Sequence, residues 1–218
     1  MRLVLASNNA KKLTELQALF APLSVELLAQ AALGVAEAPE PHATFVENAL
    51  AKARHAAAAS GLAALADDSG LCVDALGGAP GIASAQWAAA PGPQRGPASA
   101  REGADREAQR ARQDAANNAL LLARLDGRND RRARFVSTLV ALRSRDDPEP
   151  LIAFGRWDGE ILREPRGNGG FGYDPLVFIP ALNASVAELD AATKSRHSHR
   201  ALAATRMRAL MREVWRVG

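Results

Sequence analysis

The chain has 218 residues, 48% of them hydrophobic, and its 27 Lys and Arg against 24 Asp and Glu give a formal net charge of +3. This length allows one large α/β domain, and the small charge excludes a protein that binds nucleic acid through a uniformly basic surface. The single cysteine excludes an intrachain disulfide and a cysteine-based zinc site, and the lack of a run of roughly 20 apolar residues or a signal peptide predicts a soluble, cytoplasmic protein without a membrane partner.

The apolar periodicity along the chain alternates between strand and helix patterns. The strands are predicted over 2–6, 24–29, 62–66, 134–143, 151–161 and 176–180. The helices are predicted over 11–21, 44–60, 104–125 and 198–216. Thr44 and Glu47 form a capping box and Gly61 a stop signal for the second helix, while Ser185 and Glu188 form a capping box for a further short helix. Because residues 134–143 and 151–161 are predicted to form a hairpin, we expect an α/β fold with a mixed sheet.

A polar turn, SNNAKK (residues 7–12, the N-terminal turn), lies between the first strand and the first helix. Backbone N–H groups and the helix dipole at such a position can receive a phosphate group. Ser7 and Asn9 can donate side-chain hydrogen bonds, and Lys12 can reach back from the first helical turn. The same pattern also describes an ordinary capped helix, and the turn by itself does not separate the two interpretations.

Two adjacent carboxylates, Asp67 and Asp68 (the acid pair), follow the apolar run ALA and precede Ser69 and Gly70. We expect the buried strand to end on this pair and to be followed by a turn. Burial of neighbouring charges is costly. A metal ion or a need for a catalytic base is the usual reason that a protein tolerates this cost. Side chains alternate across a strand, so one aspartate can face a site while the other holds the structure. The sequence leaves open which is which, and a structural Asx turn is the alternative.

Lysine is rare in this chain, with four residues against 23 arginines. A compact ammonium group suits phosphate binding. The four positions, Lys11, Lys12, Lys52 and Lys194, are therefore candidates for contact with an anionic ligand. Glu40, in a proline-rich loop before the second helix, adds a carboxylate of the kind that Mg²⁺ prefers together with substrate phosphates.

Arginine is concentrated in residues 88–134, which hold ten arginines and six acidic residues. A nucleic-acid-binding patch is one interpretation, and a solvated helix with interleaved charges is the other. The acidic residues lie at helical spacings among the arginines, and no aromatic residue is available for stacking between Trp87 and Phe135. We favour the solvated helix. Residues 88–103, rich in Pro and Gly, are predicted to form a surface loop.

Two late segments carry further candidate ligand-binding residues. The glycine-rich loop, GNGGFGYDP (167–175), places Phe171 and Asp174 before a strand, where an aromatic ring can stack on a planar ligand or pack in the core. KSRHSHR (194–200) crowds basic residues before the last helix. Its two histidines lack the further ligands of a zinc site, so anion or base recognition is favoured.

Taken together, these segments resemble the inosine triphosphate pyrophosphatases, also called non-canonical purine NTP pyrophosphatases. The resemblance rests on SNNAKK, ADDSGLCVDALGGAPG, FGYDPLVF and SHR in this order, with FVENALAKARHAA and ANNALLL also in register. It covers nearly the whole chain as one domain, residues 1–218. It implies an elongated mixed sheet flanked by helices, with two lobes and the active site in the cleft between them. It also implies Mg²⁺, a homodimer, no nucleic-acid partner, and hydrolysis of ITP, dITP or XTP to the nucleoside monophosphate and pyrophosphate.

The resemblance also implies residue roles. Asp68 would be the general base, and Glu40 and Asp68 the metal ligands. The remaining substrate-binding residues are assigned by motif: Ser7, Asn8, Asn9, Ala10, Lys11, Lys12 and Lys52 toward the phosphates, Ser69 on the substrate, and Phe171, Gly172, Tyr173, Asp174, Lys194, His199 and Arg200 toward the base and sugar. A donor such as Arg200 would satisfy a 6-oxo group and be left unpaired by adenine.

The chain departs from the family pattern at several positions. Lys11 stands where the family often has glycine, Gln86 removes a cation near the GAPG turn, and the loop at 88–105 is longer. These departures affect rate and loop geometry more than the class of reaction. The alternatives are a septum-inhibitor-type pyrophosphatase acting on modified pyrimidine or methylated nucleotides, and a nucleic-acid-binding module using the arginines of 95–134.

Overall fold

The computed structural model describes residues 1–89 and 103–218, with side chains of the helix that follows the gap described from residue 107. Its strands are β1 (Arg2–Leu5), β2 (Glu26–Ala29), β3 (Ala63–Val73), β4 (Arg132–Leu142), β5 (Leu151–Ile161), β6 (Val177–Ile179) and β7 (Ala184–Ser185). Its α-helices are α1 (Ala10–Phe20), α2 (Phe45–Ser60), α3 (Gly103–Arg124), α4 (Ala191–His197) and α5 (His199–Val214). None of the helices in this part of the chain has the length and hydropathy of a bilayer span.

Within the described residues, the seven strands form one sheet in the order β2-β1-β3-β4-β5-β6-β7. β1 pairs in parallel with both β2 and β3. β6 pairs antiparallel with both β5 and β7. The predicted α/β class with a mixed sheet is therefore confirmed, and the helices follow the strands as the alternating pattern indicated. The elongation and the cleft remain predictions.

The chain divides into two compact units. Unit 1 comprises Met1–Ser69, Val136–Arg156 and Ser195–Gly218. Its core has two clusters, one of large side chains such as Leu5, Phe20 and Met207 around α1 and α5, and one of small side chains. The second cluster contains four buried alanines of α2, which allow the helix to lie close to the sheet.

Unit 2 comprises Gly70–Phe135 and Trp157–Lys194. Its core packs Leu121 of α3 and Leu125, which directly follows the helix, against aromatic and β-branched residues, including Trp157 and Tyr173. A buried side chain of α3, Asn117, joins the turn at residues 84–88, which precedes α3 in the chain, to this core. Its Oδ1 accepts from Ala88 N–H at 2.8 Å, and its Nδ2 donates to the carbonyls of Ser84 at 3.1 Å and Ala85 at 3.3 Å.

Replacing Asn117 with alanine should destabilise the protein by about 2–3 kcal/mol, because several buried backbone groups lose their partner. The expected fall in thermal midpoint is about 5–10 °C for a chain of this size. Differential scanning calorimetry measures it, with Asn129→Ala as the control at an exposed asparagine that follows the same helix. An equal midpoint for the two variants would contradict the role given to Asn117.

Most predicted helices and strands are present, with ends shifted from the predicted positions. Local sequence signals explain where several of them begin and end. Thr44 Oγ1 accepts from Glu47 N–H at the start of α2, and Gly61 ends that helix in the left-handed conformation. The Ser185–Glu188 capping box begins a single 3-10 turn. The GAPG turn is present and contains a cis peptide bond before Pro80. The loop expected over 88–103 falls almost entirely outside the described residues.

The predicted end of the third strand is wrong. β3 does not stop at the acid pair but continues through Ser69 and Gly70 to Val73. Leu71 and Val73 are fully buried in the core of unit 2, and their burial favours continuation of the strand over the turn that Ser and Gly suggested. The acid pair therefore lies in the middle of a buried strand, and strand residues on either side of it in the chain restrict its backbone conformation.

Candidate active site

Asp67 is the centre of a buried ionic network in unit 1. Its Oδ2 lies 2.9 Å from Lys12 Nζ and accepts from Ser69 Oγ at 2.9 Å, while Oδ1 accepts from Ser137 Oγ at 2.6 Å. Arg200 Nε lies 3.5 Å from Oδ2, and the carboxylate is completely shielded from solvent. Protein groups thus contact both oxygens of this carboxylate, as expected for the structural member of the acid pair; which member is the base stays a prediction.

The charge of Asp67 is stabilised by these neighbours. Burial alone would raise the pKa of Asp67, but Lys12, Arg200 and the Ser137 hydrogen bond outweigh it and hold the pKa well below its usual range. Asp67 is therefore ionised at neutral pH and acts as the counter-ion that keeps Lys12 in place.

Asp68 faces a different set of groups, as expected for consecutive residues of a strand. Its Oδ1 accepts from Lys52 Nζ at 2.9 Å, and Lys52 also bonds Glu40. Its Oδ2 is buried and has no hydrogen-bond partner among the described residues. Burial raises the pKa of Asp68 despite the nearby ammonium of Lys52. A carboxylate with one unused oxygen and a raised pKa has the properties of a general base.

The same residues suit a magnesium ion that arrives with its substrate. Glu40 and Asp68 contact one ammonium group, so their carboxylates lie close together and supply hard oxygen donors. In the part of the chain that the structure describes, no three metal-ligating side chains form a cluster. Mg²⁺ commonly uses one or two carboxylates and completes its shell with water and substrate phosphates. The donor set fits this mode.

The N-terminal turn caps α1. Asn9 Oδ1 accepts from the backbone N–H groups of Lys11 at 3.1 Å and Lys12 at 3.2 Å, and Ser7 Oγ accepts from Asn9 N–H. Asn8 Oδ1 accepts from Gln30 Nε2 at 3.1 Å. The turn therefore caps α1, as the capped-helix interpretation predicted. Phosphate binding by this turn stays a prediction, in which Ala10 would contribute through its position as the first residue of α1.

Arg200 lies in the first turn of α5, directly after the N-cap Ser198 and His199. Its guanidinium bonds Glu15 and donates to Ser69 Oγ at 3.1 Å, and only 4% of its side chain is exposed. The structure thus gives Arg200 protein partners beside Asp67. Contact of Arg200 and His199 with a purine base stays a prediction.

In unit 2, the glycine-rich loop gathers the other predicted ligand residues. Lys194 Nζ lies 2.8 Å from Asp174 Oδ2 and 4.7 Å from the centroid of the Phe171 ring. Asp174 Oδ2 also accepts from Phe171 N–H at 2.9 Å. Tyr173 is buried, and its hydroxyl donates to Ser84 O at 3.0 Å. Tyr173, not Phe171, belongs to the core cluster of unit 2, whereas Phe171 is half-buried. Contact of the Phe171 ring with a ligand stays a prediction.

Sequence reasoning missed several residues of these networks. Ser137 interrupts the apolar pattern of β4, and Glu15 lies on α1 with no motif around it. Their partners, Asp67 and Arg200, are distant in sequence. The one usable signal was a buried hydroxyl residue inside a strand, since such a group requires a hydrogen-bond partner.

Comparison with known proteins gives a consistent result. A protein-family model, the Ham1 family, matches residues 3–210. A dITP/XTP pyrophosphatase of Methylibium petroleiphilum is 71% identical over 215 residues, covering 99% of both chains, and one of Leptothrix cholodnii is 69% identical with the same coverage. The solved structure of a HAM1 protein from Coxiella burnetii superposes with a TM-score of 0.83 at 39% identity, covering 98% of this chain and all of that one.

Proposed function

We propose, from the premise that this chain belongs to the Ham1 family, that it hydrolyses dITP, XTP and ITP to the nucleoside monophosphate and pyrophosphate. Such an enzyme removes deaminated purine nucleotides before polymerases use them. The observation that carries the proposal is the contrast within the acid pair, where Asp67 is fully bonded and Asp68 keeps one oxygen without a partner. Relatives named dITP/XTP pyrophosphatase over the same length support the substrate class.

The residues of unit 1 divide the chemical work. The ammonium groups of Lys12 and Lys52 bind the triphosphate and neutralise charge on the leaving pyrophosphate. Asp68 Oδ2 accepts a proton from the attacking water as the new P–O bond forms and the α–β anhydride bond breaks. Ser7 Oγ and the Asn9 side chain accept backbone N–H groups of the turn, and Ser7 O–H and Asn9 Nδ2–H can donate to phosphate oxygens.

Mg²⁺ would be held by Glu40 and Asp68 together with the substrate. When bound, it neutralises phosphate charge and orients the triphosphate. In unit 2, we assign the Phe171 ring and the Lys194–Asp174 pair to the purine base, with stacking from the ring and polar contacts from the pair. We also propose a homodimer in the cytoplasm, from the resemblance alone, and sedimentation equilibrium tests the dimer.

A panel of nucleoside triphosphates, with separate detection of pyrophosphate and orthophosphate, tests the proposal. We expect pyrophosphate release from dITP, ITP and XTP, with kcat/KM for dATP lower by roughly 10²- to 10⁴-fold because its 6-amino group leaves a protein donor unpaired. Chelation of Mg²⁺ should abolish turnover, and added Mg²⁺ should restore it.

The panel also separates the rival functions. Preference for modified pyrimidine or methylated nucleotides would identify a septum-inhibitor-type enzyme. Salt-dependent DNA binding without turnover of any nucleotide would favour a nucleic-acid-binding module. Release of orthophosphate alone would contradict cleavage at the α–β anhydride.

A further inference from the structure

Two side chains of α3 hold the peptide groups of a single residue in the glycine-rich loop. Asp114 Oδ2 accepts from Gly172 N–H at 2.8 Å, and Asn118 Nδ2 donates to Gly172 O at 3.0 Å. Residues four apart lie on the same face of a helix, so both can reach one loop residue. We call this pair of contacts the Gly172 clamp.

The Gly172 clamp fixes the backbone on either side of Gly172. Gly172 has a φ of +63°, in the left-handed region that disfavours other residues. Its N–H belongs to the peptide that follows Phe171, while the N–H of Phe171 itself is held by Asp174. The backbone of Phe171 is therefore restrained on both sides. Because the side chain starts from this backbone, these bonds restrict the positions that the aromatic ring can take.

The same restraint extends to the ion pair beside the ring. Asp174 Oδ2 bonds Phe171 N–H and Lys194 Nζ, and Lys194 lies over the ring face. Gly170, with a φ of +74°, has no space for a Cβ because the Asp174 carboxylate occupies that position. Ring, ammonium and carboxylate thus form one connected arrangement, to which α3 adds the bonds of Asp114 and Asn118 to Gly172.

A contribution to folding stability does not explain why residue 118 is an asparagine. Its Oδ1 is buried and accepts no hydrogen bond from the described residues, which is a cost. Its neighbour Asn117 uses both ends of its amide group. An asparagine with one orphaned acceptor and one bond to Gly172 is better explained by the position of the loop than by the folding of α3.

We propose that Asp114 and Asn118 are positioning residues for base recognition: by holding the Gly172 peptide, they orient the Phe171 ring and the Lys194–Asp174 pair toward a purine. This inference rests on the proposed function. It gives a role to the ANNALLL segment, which contains Asn118.

Kinetics and hydrogen exchange of Asp114→Ala and Asn118→Ala test this inference. Loss of either bond loosens the loop, so KM for dITP should rise about 5- to 20-fold, while kcat stays within about threefold because the hydrolytic residues are unchanged. Amide exchange in a peptide covering 167–176 should accelerate at least about fivefold. Asp114→Asn keeps an acceptor oxygen and should restore most of the affinity.

Matched controls are Asp126→Ala and Asn129→Ala, two exposed positions just after α3, which should leave KM and exchange unchanged. Unaltered KM and exchange in both clamp variants would overturn the inference while dITP turnover by the wild type upheld the proposed function. A fall in kcat with unchanged KM would also overturn it. A wild type that hydrolyses no triphosphate would instead refute the proposed function, and the exchange experiment would still decide whether the clamp holds the loop.

Discussion

Replacing Asp68 with asparagine is expected to lower kcat for dITP by about 10³-fold, within the range for loss of a general base. Asparagine keeps the shape of the side chain but cannot accept the proton of the attacking water. Stability should be almost unchanged, with the thermal midpoint within about 2 °C. Burial already disfavours the charge of Asp68, as its raised pKa indicates, and Lys52 retains Glu40 as a partner. Pyrophosphate release and calorimetry on the same preparation measure both effects.

Asp146→Asn is the matched control, because its carboxylate is 93% exposed and lies far along the chain from the acid pair. It should change neither turnover nor midpoint. Turnover by Asp68→Asn at a tenth of the wild-type rate or more would remove Asp68 from the base role.

The replacement of the neighbouring aspartate, Asp67→Asn, should destabilise the protein, unlike Asp68→Asn. It leaves the ammonium of Lys12 and the guanidinium of Arg200 buried beside a neutral group, and breaking such a network costs about 3–5 kcal/mol. The thermal midpoint should fall by about 6–12 °C. Urea unfolding provides the free energy of unfolding independently of temperature.

The pH dependence of this stabilisation follows from the lowered pKa of Asp67. Because the folded pKa lies below the unfolded value, the stabilisation is fully present above about pH 4 and declines as the pH falls further. In Asp67→Asn, this part of the acid sensitivity should disappear. A variant as stable as the wild type at pH 7 would show that Asp67 is not the structural member of the pair.

The sequence was sufficient for much of the fold because the relevant signals are local. The Thr44 capping box, the Gly61 stop and the alternation in β5 depend on neighbouring residues only. The error at β3 arose where local and tertiary preferences disagree: Ser69 and Gly70 favour a turn, but burial of Leu71 and Val73 requires a strand. α4 has seven residues, too few for a periodic pattern.

The charged residues of the candidate site could be identified from the sequence, but the residues that hydrogen-bond them could not. Three of the four lysines, Lys12, Lys52 and Lys194, each contact a buried aspartate, while Lys11 is exposed. The scarcity of lysine therefore indicated members of these ionic networks, while their contact with an anionic ligand stays a prediction. The distinction between Asp67 and Asp68 was not available, because it depends on Ser137, which is 70 positions away. Contacts between distant positions leave no trace in local spacing.

The central claim is that Lys12, Lys52 and Asp68 act together on one triphosphate. A crystal structure of the Asp68→Asn variant with dITP and Mg²⁺ tests it most directly, since the variant should bind the substrate without consuming it. We predict triphosphate oxygens within hydrogen-bonding distance of both lysine ammonium groups, with the side chain at position 68 facing the α–β anhydride. A triphosphate bound out of reach of Lys12 and Lys52 would contradict the account.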